Sequence, residues 1–125
     1  MEKSQSFVSV VSLVDNSTPQ LVATMKTLEA YLSERYSDYE MLLIVQKQAR
    51  FSQEKNLEAV LASVPSVRRI QLSADASAED AWNAGLENAI GDFIVFFTPG
   101  TDPVELVGRS VELAKKGHDV VIGTA

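Results

Sequence analysis

Apolar residues along this chain fall into short blocks that alternate between two periods. Phe7 to Val14 is a β-branched, apolar run of the kind a strand buried on both faces requires. Leu21, Met25, Leu28 and Leu32 then recur at spacings of four, three and four, which puts them on one face of a helix. Thr18 and Pro19 ahead of them suit an N-cap and a first-turn proline. Tyr39 to Val45 reads as a second strand. Leu57, Val60, Leu61 and Val64 mark a second helix, capped by Ser52 and ended by Pro65. Val67 to Leu72 is a third and weaker strand, because Arg68, Arg69 and Gln71 interrupt it. Ser77, with Asp80 three residues on, makes a capping-box-like start to a helix that runs to about Ile90 and stops at Gly91. Phe93 to Phe97 is the fourth strand. Asp102-Pro103-Val104-Glu105 opens a last helix, with Val104, Val107, Val111 and Ala114 inward and Gly117 as terminator. Asp119 to Ile122 is the fifth strand.

Strands and helices in strict alternation, joined by short connections, predict right-handed crossovers and a mainly parallel sheet. The expected architecture is a single α/β domain over residues 1–125: three layers, α/β/α, around a five-stranded, Rossmann-like sheet. Ligands of such sheets gather outside the carboxyl ends of the strands. The loops to inspect are therefore Asp15–Thr18, Gln46–Phe51, Ser73–Ala76, Thr98–Asp102 and Gly123–Ala125.

Composition narrows the chemistry. The 125 residues can bury one core without staples, and an apolar content of 46% belongs to a globular chain rather than a disordered one. No signal-like or membrane-spanning apolar run is present, so the expected location is cytoplasmic. The absence of cysteine removes disulfides, thiolate metal sites and cysteine nucleophiles. A net charge of −6 with only two basic pairs, Arg68-Arg69 and Lys115-Lys116, offers nucleic acid no basic face. Each pair is expected at the solvated end of an element.

Dinucleotide and P-loop readings both need glycine after the first strand, and Asp15-Asn16-Ser17-Thr18-Pro19-Gln20 has none. A receiver domain fits in length and element order. Its phosphorylation chemistry needs an acidic pair, a phosphorylatable Asp after strand three and a lysine after strand five. Asp15 is alone, Asp75 lies loosely past strand three, and Gly123-Thr124-Ala125 contains no lysine.

Several stretches, in order, are similar to family 2 glycosyltransferases. Phe7-Val8-Ser9-Val10-Val11 with Asp15-Asn16 behind it resembles the family's opening strand and turn. Asp38-Tyr39-Glu40 followed by Met41 to Val45 resembles its second strand, and Gly117-His118-Asp119 followed by Val120 to Gly123 its closing one. The closest likeness is Asn83-Ala84-Gly85-Leu86, then Ala89, Gly91, Asp92, Phe93 and Ile94, within Ala81–Phe97. The resemblance implies the GT-A fold, binding of a nucleotide sugar, and the donor-side half of an enzyme of polysaccharide or glycolipid synthesis. It departs where the family keeps its acids. Gln46-Lys47-Gln48 stands in place of the acidic end of strand two, and Thr98-Pro99-Gly100 in place of the metal-binding Asp-x-Asp, leaving Asp102 as a displaced candidate ligand.

The resemblance thus implies a divalent metal such as manganese or magnesium only if the family chemistry is retained, and no other cofactor. No catalytic residue is assigned, and the chain alone is expected to be inactive. By position, the residues expected near a nucleotide are Asp15, Asn16, Gln46, Lys47, Asn83, Thr98 and Gly100. Asp102, before Pro103 and with Glu105 at N3, is expected to cap the last helix. Trp82 is expected against the sheet or in a subunit contact, and His118 beside a helix end. A different class of reading makes the chain a non-catalytic interaction module, expected to self-associate through surface that a second half would cover.

Overall fold

The computed structural model describes residues 4–47, 49–72, 77–116 and 121–122. The element order is β1 (Ser4–Val14), α1 (Leu21–Arg35), β2 (Tyr36–Val45), α2 (Ala49–Ser52), α3 (Glu54–Ser63), β3 (Val67–Gln71), α4 (Ala78–Asn88), β4 (Phe93–Phe97), α5 (Glu105–Lys115) and β5 (Val121–Ile122). All strand pairings are parallel, in the order β3-β2-β1-β4-β5. Four of these are full strands. The expected fifth is reduced, among the described residues, to Val121 opposite Val95 and Ile122 opposite Phe96.

Each strand's alternation assigns its side chains to two cores. Val8, Val10 and Val14 of β1, with Met41, Leu43 and Val45 of β2, pack against Leu21, Met25, Leu28 and Leu32 of α1, Leu57 and Val60 of α3, and Val107 and Val111 of α5. The opposite face sets Val11, Leu42, Ile44 and Phe96 against Ala81 of α4, with Trp82 and Leu86 at its margin. Helices therefore cover both faces, α1, α3 and α5 with Ala49 of the short α2 on one side and α4 on the other. The Trp82 ring lies 4.8 Å from that of Phe96, so this helix docks on the sheet through aromatic contact.

Local signals hold in some places and are overridden in others. The stripe on α1 is buried throughout, and Ser77 Oγ accepts from Asp80 N at 3.0 Å as the capping pattern predicts. The Thr18-Pro19 helix start is corrected: α1 begins at Leu21 behind a left-handed Gln20 (φ 46°) whose side chain makes no cap. Thr18 is held elsewhere, its Oγ1 accepting from Asp15 N at 2.9 Å. Ser52 ends the short α2 instead of capping a helix. The stop of α4 also differs. The helix ends at Asn88 with an extended Ala89, and Gly91 serves a close approach rather than a left-handed cap. A Cβ on Gly91 would sit 2.6 Å from Ser9 Oγ and 2.9 Å from Phe7 O.

Candidate functional site

β1, β2 and β3 extend the sheet to one side, and the chain then returns to lay β4 on the other side of β1. The carboxyl ends of β1 and β4 thus flank the topological switch point, where sheets of this kind leave a crevice. Here that crevice is a cleft of about 240 Å³. Its lining includes Leu13, Asp15, Ser17, Thr18, Thr98 and Thr101. A second depression of about 280 Å³ lies between the first turns of α1 and the β4–α5 connection. Pro19 borders the first depression and Gly100 the second. The two residues touch, since a Cβ on Gly100 would meet Pro19 Cγ at 2.5 Å. With φ at +82°, Gly100 also holds a conformation that side chains disfavour.

The β1–α1 loop is built on its own carboxylate. Asp15 Oδ1 accepts from Ser17 N (2.9 Å), Ser17 Oγ (2.9 Å) and Thr18 Oγ1 (3.2 Å), an Asx-type closure. Behind it, the buried Gln53 donates through Nε2 to Asp15 O (3.1 Å) and Thr18 O (2.9 Å), and Asn56 donates to its Oε1. Sequence reading passed over Gln53. Its signal was a polar residue on the stripe that Leu57, Val60 and Val64 continue at helical spacing.

The β4 loop is closed by Asp102. This residue is buried, and its Oδ2 accepts from Thr98 N at 2.8 Å. The expectation that it caps α5 is corrected: Val104 is the N-cap, and Asp102 holds the turn before the helix. Thr98-Pro99-Gly100 brings no carboxylate, Asp102 Oδ2 accepts from Thr98 N, and Asp15 Oδ1 accepts from its own turn. A family-type divalent cation does not fit these residues, and among the described residues no group of three or more His, Asp or Glu could hold a metal.

Of the positions singled out by sequence, Asp15 and Thr98 meet in the cleft, and Gly100 forms the bridge beside it. Asn16 is exposed and accepts from Ser52 Oγ at 2.9 Å. Gln46 is buried where β2 ends, with its N–H donating to Val14 O and its Oε1 unpartnered among the described residues. Lys47 and Asn83 are exposed, and Asn16, Gln46, Lys47 and Asn83 line neither depression. Ser73–Ala76, Gly117, His118, Asp119, Val120 and Gly123–Ala125 lie outside the described residues.

A second polar cluster, unanticipated from sequence, sits on the α4 face where β3 and β4 begin. Glu40 is buried on β2 beside Ser9, its register neighbour on β1. Its Oε2 accepts from Ser9 Oγ (2.6 Å) and Ile90 N (2.8 Å), while Oε1 accepts from Arg68 Nη2 (2.9 Å) and Nε (3.2 Å). Ser9 Oγ accepts in turn from Gly91 N, and Arg68 also donates to Asn88 O, the last carbonyl of α4. Burial alone would raise the Glu40 pKa. The hydrogen bonds from Ile90 and Ser9 and the Arg68 guanidinium outweigh it and hold the carboxyl below its usual value. Arg68 and Arg69 are therefore not simply the solvated end of a strand, since Arg69 is also paired, with Glu54 at 3.0 Å.

The sequence matches no known protein-family model, and no curated protein is similar to it. Among the described residues, no helix is long and apolar enough to cross a membrane.

Proposed function

We propose that this chain is a GT-A-like domain of the family 2 glycosyltransferase type that binds the sugar portion of a nucleotide sugar without a metal and without transferring it. The observation that carries this reading is the cleft at the β1/β4 switch point, where the Thr98 and Thr101 hydroxyls, both exposed, join the Asp15 loop. Hydroxyls and a carboxylate suit the hydroxyls of a ribose or hexose. The donor set does not suit a metal-bridged diphosphate. At about 240 Å³ the cleft is smaller than the roughly 300–1,000 Å³ of drug-sized pockets, so it takes one ring and binds it weakly. No transfer step is assigned to it.

Amide NMR during titration with UDP-glucose, with and without manganese, tests this reading. The expected result is perturbation of the amides at 15–18 and 98–101, unchanged by metal, with affinity in the millimolar range. Silent amides at about 10 mM ligand, a few-fold above such a Kd, would defeat the reading. Tightening by manganese would show that a metal site exists after all.

A second reading, an interaction module on the same fold, has its own observation. A groove of about 450 Å³ between α1 and α5 is larger than either depression at the sheet's end.

A further inference from the structure

The outer stripe of α5 reads Glu105, Gly108, Arg109, Glu112, Leu113 and Lys116, at helical spacings of three, one, three, one and three. These six residues, with Tyr31 and Arg35 of α1, line the groove between the two helices. Leu113 is 44% exposed, one of few large apolar side chains left open to solvent among the described residues. The floor beside it is formed by Gly108, which packs so closely under Tyr31 that a Cβ would collide with the phenol oxygen. The Tyr31 ring is itself covered by the Arg35 guanidinium, 4.7 Å from its centroid.

The order of charges on this stripe is unusual in one respect. When a second α5 is laid antiparallel about a twofold axis between residues 110 and 111, Glu105 faces Lys116 of the second copy, and Arg109 faces Glu112. The same operation sets Leu113 at the level of Gly108, where the Tyr31 ring of the other copy closes the floor. The charged positions of the stripe then meet their complements, as an isologous interface requires. Within one chain these charges are weakly engaged. Neither Arg109 nor Lys116 has a carboxylate within ion-pair distance among the described residues, although Glu105 and Glu112 stand four residues ahead of them. Among the described residues, the ion pair of Glu112 is with Lys115, at 3.8 Å on the exposed surface, a contact worth little. The groove also carries three cations against two carboxylates. It is a non-acidic surface on a chain of net charge −6, so it can meet its own copy without the repulsion the rest of the surface would exert.

We propose that the chain forms a twofold homodimer through antiparallel α5 helices, with Leu113 of each copy set beside Tyr31 of the other and flanked by the Glu105–Lys116 and Arg109–Glu112 pairs. The inference is independent of sugar binding, because the cleft lies at the carboxyl end of the sheet and contributes no residue to this face.

Sedimentation velocity across the micromolar range, paired with native mass spectrometry, tests it. The expected result is a concentration-dependent dimer. Arg109→Glu and Glu112→Arg should each weaken it about tenfold or more, and the double charge swap should recover most of the loss. Leu113→Ser should weaken it as well. All three positions are exposed, so circular dichroism should find every variant folded. A wild-type monomer throughout the range overturns the proposal. So does a dimer indifferent to Arg109→Glu, or a charge swap that fails to restore association. A groove that instead holds a small amphipathic molecule would give a monomer mass plus that ligand, which overturns it too.

Discussion

Glu40 on β2 and Asp15 at the end of β1 are both carboxylates in polar surroundings, and they are held in opposite ways. Glu40 accepts four hydrogen bonds from three groups on other elements or their flanks: Ser9 of β1, Arg68 of β3, which gives two, and the N–H of Ile90 past α4. Among the described residues, the Asp15 carboxylate is bound only by its own turn, through Ser17 and Thr18. The first carboxylate joins segments far apart in sequence, so it belongs to the fold. The second shapes one loop and stays only partly buried, within reach of solvent. The long-range network ties separate segments of the chain together, whereas the local one borders a cleft.

The comparison breaks most visibly at Glu40. Glu40→Ala should cost about 3 kcal/mol in urea unfolding, because it strands the Ile90 amide and the Ser9 hydroxyl in a buried setting while Arg68, half exposed, recovers some hydration. A loss below about 1 kcal/mol would mean that the cluster is solvated and the contrast is false. The same residue predicts a pH dependence. Its folded pKa lies below the usual 4.5, so its contribution is present above that value and is lost as pH falls through the depressed one. In Glu40→Gln, stability should fall less steeply on acidification than in the wild type.

Next in size is Gly91→Ala, expected to cost about 2 kcal/mol, since the added carbon meets the backbone of Phe7 and Ser9 and neither strand atom can yield. Gly100→Ala should cost less, about 1 kcal/mol, for its positive φ and for the Pro19 ring it would push aside. The two glycines separate by readout as well. Thermal melting should rank Gly91 first, whereas only Gly100→Ala should shift the amides of 15–18. Smallest in stability is Thr98→Val, within about 0.5 kcal/mol because its hydroxyl is exposed. Under the proposed function it should still weaken the sugar titration several-fold. An unchanged titration would remove Thr98 from the binding surface.

What could be read from sequence was whatever depends on near neighbours. The α1 stripe and the Ser77–Asp80 cap are settled within a few residues of chain, and both stand in the structure as expected. Helix starts failed where a nearby polar side chain had a better partner: Thr18 serves Asp15, and Asp102 serves Thr98. Glu40 gave a signal that was left unused, a charge inside an apolar strand. Its meaning depended on register, because only the pairing of Ser9 with Glu40 and of Leu42 with Arg68 brings the three side chains onto one face. The cleft was legible as a set of loops but not as a surface. Of the seven positions named for a nucleotide, Asp15 and Thr98 line it, since strand order decides which loop ends are neighbours.

Gln53 leaves the β1–α1 loop in an unusual position. One amide, reaching in from behind, grips the carbonyls on both sides of Asn16 and Ser17. The loop's course is therefore written into a neighbouring helix junction rather than into the residues at its tip. Asn16, whose side chain is exposed and accepts from Ser52 Oγ, can be exchanged without redrawing the backbone that carries it. For an engineer, this makes the loop a replaceable bit on a fixed shank: libraries built at Asn16 and around Thr98 and Thr101 could retune what the cleft accepts while Gln53 keeps the frame in register.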